Sequence, residues 1–155
     1  MNTLKEYLDF VKWAEADGLC EFLPYPDSKG IWTIGFGRNI EANPFSDYEK
    51  KLCRQMGGAT EAFFTWLMEE DVKRHMDEVL RNLPWLASKP PAVRFFVTDL
   101  NYGMGWSELS KFTRTLGLLQ IGKYSETAAH LPSTGWYKDV GRRAVRWCEI
   151  LRGIA

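Results

Sequence analysis

The amino-acid sequence predicts an α+β protein dominated by helices, with one small β region towards its N-terminal end. Segments with apolar residues at helical spacing recur along the chain and account for most of it. Only Pro24 to Gly37 alternates at the strand period around a turn. Strand signal is therefore confined to one end and does not alternate with helices as in parallel α/β proteins.

The first element is a helix from about Leu4 to Asp17. Thr3 is its N-cap, and Glu6 three residues later completes a capping box. With Leu4 at 0° and about 100° per residue, Tyr7, Leu8, Val11 and Ala14 fall within about 80° of it, a stripe suited to burial. Lys5, Glu6, Asp9 and Lys12 fall between about 80° and 200°, the wet side. Gly18 is the expected stop. In the hairpin that follows, Asp27 opens the turn and Gly30 closes it. Trp32, Ile34 and Phe36 share one face of the second strand, and Ile31, Thr33 and Gly35 the other. Gly35 and Gly37 leave backbone open to close approach.

Asn43-Pro44 breaks the chain before a short helix around Asp47 to Gln55, and Gly57-Gly58 ends it. Thr60 to Leu80 predicts a helix of about six turns, with Phe63, Phe64, Leu67, Met68, Val72, Met76, Val79 and Leu80 as its apolar residues. After Pro84 and Pro90-Pro91 the chain reads as helices over Ala92–Asn101, Phe112–Gln120, Tyr124–Leu131 and about Val140–Leu151, with a turn at Gly103-Met104-Gly105. There is no repeat, linker or low-complexity tract.

Composition narrows the function. The 155 residues suit one domain or two small lobes, and 45% hydrophobic content with seven Trp, six Tyr and nine Phe supplies a packed interior. Twenty basic and twenty acidic residues cancel, which removes any general attraction to nucleic acid or anionic membranes. Arg142, Arg143, Arg146 and Arg152 cluster near the end, a pattern that a solvated helix face explains. Cys20, Cys53 and Cys148, with only His75 and His130 beside them, form neither a disulfide framework nor a zinc motif; free buried thiols are expected, with no metal or cofactor. No apolar run of 18 residues and no signal-peptide pattern is present, so no stable membrane insertion is expected and the chain is read as cytoplasmic.

The chemistry concentrates around the hairpin. Asp27 and Thr33 flank its turn, just after a helix that ends near Glu15 and Asp17. One carboxyl that donates a proton, and a second that activates water beside a hydroxyl, are what hydrolysis of a glycosidic bond requires. Each residue also has a purely structural reading: Asp27 as a turn-former, Thr33 as a β-branched strand residue, Glu15 as a partner of Lys12 or Lys5.

Glu15 and then Tyr25-x-Asp27-x-x-Gly30-x-x-Thr33-Ile34-Gly35-x-Gly37 resemble the phage-type lysozymes, glycoside hydrolase family 24. Asn101-Tyr102-Gly103-Met104-Gly105 followed by Lys111-Phe112-Thr113 resembles the family's central helix and the loop after it. Thr134-Gly135-Trp136-Tyr137 through Arg142-Arg143-Ala144 resembles its closing helix start. These landmarks occur in order over nearly the whole chain. The resemblance implies a lysozyme-like fold: a β-containing lobe over about 15–58, a connecting helix over about 60–80, and a helical lobe over about 82–155 with helix 3–15 packed on it. It implies peptidoglycan bound between the lobes and cleaved between N-acetylmuramic acid and N-acetylglucosamine. It also places Asn39, Tyr102, Gly103 and His130 near the substrate. A monomeric phage endolysin is implied, held in the host cytoplasm until a holin opens the way to the periplasm and cell wall.

The chain departs from the family pattern at three places. The family's acid Glu precedes a Gly seven residues ahead of the matched Tyr; here Gly18 holds that place and Asp17 precedes it. Either Asp17-Gly18 replaces Glu-Gly, or Glu15 is the acid and three residues are inserted before Tyr25. Helix rotation puts Glu15 near 20°, inside the apolar stripe, and Asp17 near 220°, on the wet face, about 160° apart. Desolvation keeps a carboxyl protonated, so Glu15 is favoured, with Asp17 as its rival. Arg38 stands where the family more often has His, and Gly103 where it commonly has a polar side chain. The expected mechanism is inverting, with Glu15 as acid and Asp27 with Thr33 holding water. Two alternatives stand beside it. A lytic transglycosylase needs no water-holding Asp, and an inactive peptidoglycan-binding lysis accessory accounts for the disturbed spacing before Tyr25.

Overall fold

The structure is a computed structural model describing residues Met1–Ala155. It is an α+β protein, 66% helical, with eight α-helices and one three-stranded antiparallel sheet. The elements are α1 (Leu4–Ala16), β1 (Glu21–Pro26), β2 (Trp32–Gly35), β3 (Arg38–Asn39), α2 (Asp47–Gln55) and α3 (Glu61–Asn82), then α4 (Pro91–Leu109), α5 (Thr113–Gln120), α6 (Tyr124–His130), α7 (Gly135–Val140) and α8 (Arg142–Arg152). Short 3-10 turns occupy Pro84–Ser88 and Leu131–Ser133. The chain forms two compact units, Leu8–Asp71 and Met1–Tyr7 with Val72–Ala155. Their boundary falls inside α1 and inside α3.

Helix α1 opens on the expected reciprocal cap: the Glu6 amide donates to Thr3 Oγ1 at 3.2 Å, and the Thr3 amide donates to Glu6 Oε2 at 3.1 Å. Its end differs from expectation. The left-handed turn begins at Asp17 (φ 53°), a non-glycine residue, and continues through Gly18 (φ 76°). The Gly18 amide then donates to the Lys12 carbonyl at 3.0 Å. A short polar side chain tolerates this conformation better than most, so the stop spans both residues.

In the unit Leu8–Asp71 the sheet order is β1-β2-β3, with β2 central. Tyr25 pairs with Thr33, Pro26 with Trp32, and Thr33 with Asn39. The expected alternation along β2 gives way to burial on both faces: Thr33, Ile34, Gly35 and Phe36 are all buried, and Trp32 is exposed. The cause is close packing by α3, where a Cβ on Gly35 would stand 2.5 Å from Phe64 Cδ1. The strand β3, absent from the sequence expectation, is only two residues long, too short for a period to register. Helix α2 starts on a second capping box, Ser46 with Glu49. Rings of Phe45, Phe63, Phe64 and Trp66 line the α3 side of the unit, with Phe63 and Trp66 stacked at 6.3 Å.

The larger unit is built around α4, whose residues 92, 93 and 95–101 are buried. Its expected end at Asn101 is not observed: helical structure continues past Gly103 and breaks at Gly105 (φ 77°, ψ 163°), after which a further turn runs to Leu109. The expected last helix is α8; a short helix not expected from the sequence, α7, precedes it and is separated from it at Gly141 (φ 53°). At the centre lies Asp99, accepting hydrogen bonds from Tyr7 Oη (3.0 Å), Trp147 Nε1 (2.7 Å), and Arg143 Nε and Nη2 (2.9 and 2.6 Å). Tyr7 stacks on Phe95 and Trp147 tilts against Phe96. Burial, and then the charge of Asp99, drives the Tyr7 phenol well above its usual range. The three cysteines are free: Cys148 is buried, whereas Cys20 and Cys53 are only partly so.

Candidate functional site

Glu15, Asp27, Thr33 and Asn39 all belong to the unit Leu8–Asp71. Glu15 lies in the last turn of α1 and is half-buried, whereas Asp17, one residue past the helix end, is exposed. Gly37 sets the position of Glu15. A Cβ placed on Gly37 (φ +88°) would meet Glu15 Cβ at 3.2 Å and its Oε2 at 3.4 Å. The backbone after β2 thus lies against the Glu15 side chain in a positive-φ conformation that favours glycine.

Asp27 follows β1 and is half-buried. Its Oδ1 accepts from the amides of Lys29 (2.8 Å) and Ile31 (2.9 Å), and the Gly30 amide donates to its carbonyl at 2.9 Å. It forms the turn as expected, through one carboxyl oxygen. Thr33, 4% exposed, donates its hydroxyl hydrogen to the Ile31 carbonyl at 2.9 Å, so that oxygen is left to act only as an acceptor.

Tyr25 pairs with Thr33 across the sheet. Burial, followed by the charges of Glu21, Asp27 and Glu15, raises its phenol above the usual 10.0. In the sequence pattern Tyr25 is only the matched aromatic that precedes Asp27. Asn39 Oδ1 accepts from the amides of Glu41 and Ala42, both at 3.0 Å, a turn-forming role. Arg38 forks onto Glu49 at 2.7 and 3.1 Å, donates to the Asn43 carbonyl and lies over the Phe45 ring. This residue ties β3 to α2.

Tyr102, Gly103 and His130 belong to the other unit. Tyr102 meets the His75 ring edge-on at 5.5 Å. Next to it, Asn101 donates through Nδ2 to His75 Nδ1 (2.9 Å) and Glu78 Oε2 (2.7 Å), while its buried Oδ1 has no partner. That arrangement requires His75 Nδ1 to be unprotonated. The i, i+3 spacing of His75 and Glu78 was its only sequence signal. Gly103 is exposed, with no heavy atom within 4 Å of where its Cβ would be. His130 closes α6, and Ser133 Oγ donates to its carbonyl at 2.8 Å.

No group of three or more His, Cys, Asp or Glu side chains is placed to hold a metal ion. No helix is long and apolar enough to cross a membrane. The chain matches no protein-family model.

Proposed function

We propose that this protein is a muramidase that cleaves the β-1,4 bond between N-acetylmuramic acid and N-acetylglucosamine in bacterial peptidoglycan, and that it serves as a phage endolysin. The observation that carries this reading is the seating of Glu15 against Gly37, beside the strands that bear Thr33 and lead into Asp27. It supports Glu15 over the exposed Asp17 as the acid.

In this reading Glu15 gives its proton to the glycosidic oxygen as the bond to the anomeric carbon breaks. The fixed hydrogen bonds decide how water is held. Asp27 Oδ1 is engaged by two amides, which leaves Oδ2 to take the water's proton. The Thr33 oxygen accepts the water's other hydrogen, because its own is committed to Ile31. The water lone pair then faces the anomeric carbon from the side opposite the leaving group, and the product inverts. Inverting pairs stand about 6.5–9.5 Å apart, room for one water. Export to the wall falls to a holin.

The test is lysis of outer-membrane-permeabilised Gram-negative cells by wild type, Glu15→Gln and Asp17→Asn, with analysis of product ends. Loss of about 10²–10⁴-fold in Glu15→Gln alone, with new reducing ends of inverted configuration, is the expected result. Loss in Asp17→Asn alone overturns the assignment of the acid. Anhydro ends mean a transglycosylase, and an inactive wild type that pellets with sacculi means a wall-binding protein.

A further inference from the structure

Helix α2 is anchored at its start by the Ser46–Glu49 capping box, yet none of its nine residues is buried. It leads into Gly57 and Gly58 (φ +87° and +110°). Against it lies a cavity of about 260 Å³ whose walls include Ile34, Phe45, Phe63 and Phe64. Ile34 lines it, and none of Glu15, Asp27 or Thr33 does. Two exposed cations, Lys50 and Arg54, line the same cavity.

Those cations set the chemistry. Lys50 and Arg54 are four residues apart on α2, hence neighbours on one helix face that repel each other. Of the two acids on the helix, Glu49 is held by Arg38 in a two-pronged pair and Asp47 stands one turn before Lys50, but neither Lys50 nor Arg54 forms an ion pair. An apolar chamber with two exposed positive charges in its wall complements an amphiphile with an anionic head. The volume lies just under the about 300–1,000 Å³ of small-molecule pockets, so it takes a single short chain or the end of a longer one.

We propose that this cavity binds one acyl chain bearing an anionic head, with the chain among the Phe45, Phe63 and Phe64 rings and a carboxylate or phosphate against Lys50 and Arg54. The site is independent of the muramidase reading, and its test needs no lytic activity.

Octanoate, decanoate and decanol are titrated below their aggregation concentrations by calorimetry, against wild type and Lys50→Gln/Arg54→Gln. Saturable one-to-one binding is expected, about fourfold tighter per methylene, the equivalent of ~0.8 kcal/mol, until the cavity is filled. Decanol in the wild type, and decanoate in the double variant, are expected to bind at least about tenfold more weakly than decanoate in the wild type. Cys53, partly buried and lining the cavity, supplies a readout that requires no change to the walls. In a Cys20→Ser protein, decanoate is expected to slow its alkylation and decanol to do so far less. Equal binding of decanol and decanoate, equal binding by the double variant, or absence of saturation overturns the proposal. Phosphatidylglycerol vesicles separate the sources. Cosedimentation that decanoate competes away assigns the head to a membrane phospholipid. Decanoate binding without cosedimentation assigns it to a free acid. Both results uphold the chemistry.

Discussion

Removing the charge of Asp99 is expected to destabilise the Val72–Ala155 unit more than any surface change. Asp99 is 2% exposed and accepts four hydrogen bonds, two from Arg143, whose side chain is itself only 12% exposed. In Asp99→Asn the shape is kept, but an amide NH2 faces donors and the Arg143 charge loses its counter-ion. Four bonds to a charged acceptor, at about 1.5–3 kcal/mol each, sum to about 6–12 kcal/mol. That sum overstates the loss, because the four share one acceptor and are not additive. Breaking a buried pair by removing one partner costs about 3–5 kcal/mol, and the slight exposure of Arg143 places the expected value near 4 kcal/mol. At about 2–4 °C per kcal/mol for a chain of this length, Tm falls by about 8–16 °C. The companion variant Arg143→Met leaves the Asp99 charge uncompensated and is expected to cost about as much. The double variant is expected to cost less than the sum of the two by at least about 2 kcal/mol, because neither charge remains unpaired. Urea unfolding followed by circular dichroism checks all three proteins. A loss under about 1 kcal/mol in Asp99→Asn, or strict additivity in the double variant, would refute the reasoning.

The remaining predictions address single contacts. Gly37→Ala places a methyl at φ +88° against Glu15; it is expected to cost about 1–3 kcal/mol and to lower lytic activity by more than the unfolded fraction explains, measured as lysis rate beside Tm. Glu49→Gln tests the Arg38 fork. Burial alone would raise the Glu49 carboxyl, but hydrogen bonds from Arg38 and the Ser46 amide hold it below its usual 4.5. A depressed folded value means that the stabilisation is complete above the unfolded value and disappears as pH falls through the folded one. The urea-stability gap between wild type and Glu49→Gln is therefore expected to stay constant from pH 7 to about 5.5 and to narrow through the acid range below about 4.5. Persistence of the full gap at pH 2 rules out the ion pair as its source. Gly103→Ala, in an exposed helical position with open space around its Cβ, is expected to stabilise by about 0.5–1 kcal/mol, read as a small rise in Tm.

Much of the secondary structure is determined within a few residues of sequence. Helix α2 spans Asp47–Gln55 as expected, because Asn43-Pro44 and Gly57-Gly58 bracket it and such signals act locally. The Thr3–Glu6 cap and the Asp27–Gly30 turn are legible for the same reason: donor and acceptor are three residues apart. The half-buried Glu15 and the exposed Asp17 are not separated by helical rotation: Asp17 lies past the end of α1 at φ 53°, and Phe10, on nearly the same calculated side as Asp17, is buried. What tertiary structure alone decides are the contacts between chain segments with no local signal. The phenol of Tyr7 reaches Asp99 across 92 residues, and no periodicity marks Asp99 as the acceptor of Arg143 and Trp147. Burial of β2 on both faces depends on Phe64 closing over Gly35, and Glu15 lies against the backbone at Gly37. The sequence by itself determines the caps of α1 and α2 and the Asp27–Gly30 turn, because hydrogen bonds among near neighbours decide those points, whereas the ends of α1 and α4 do not follow from it. Which distant side chains share a buried charge or press on a candidate acid is decided only when packing brings them together.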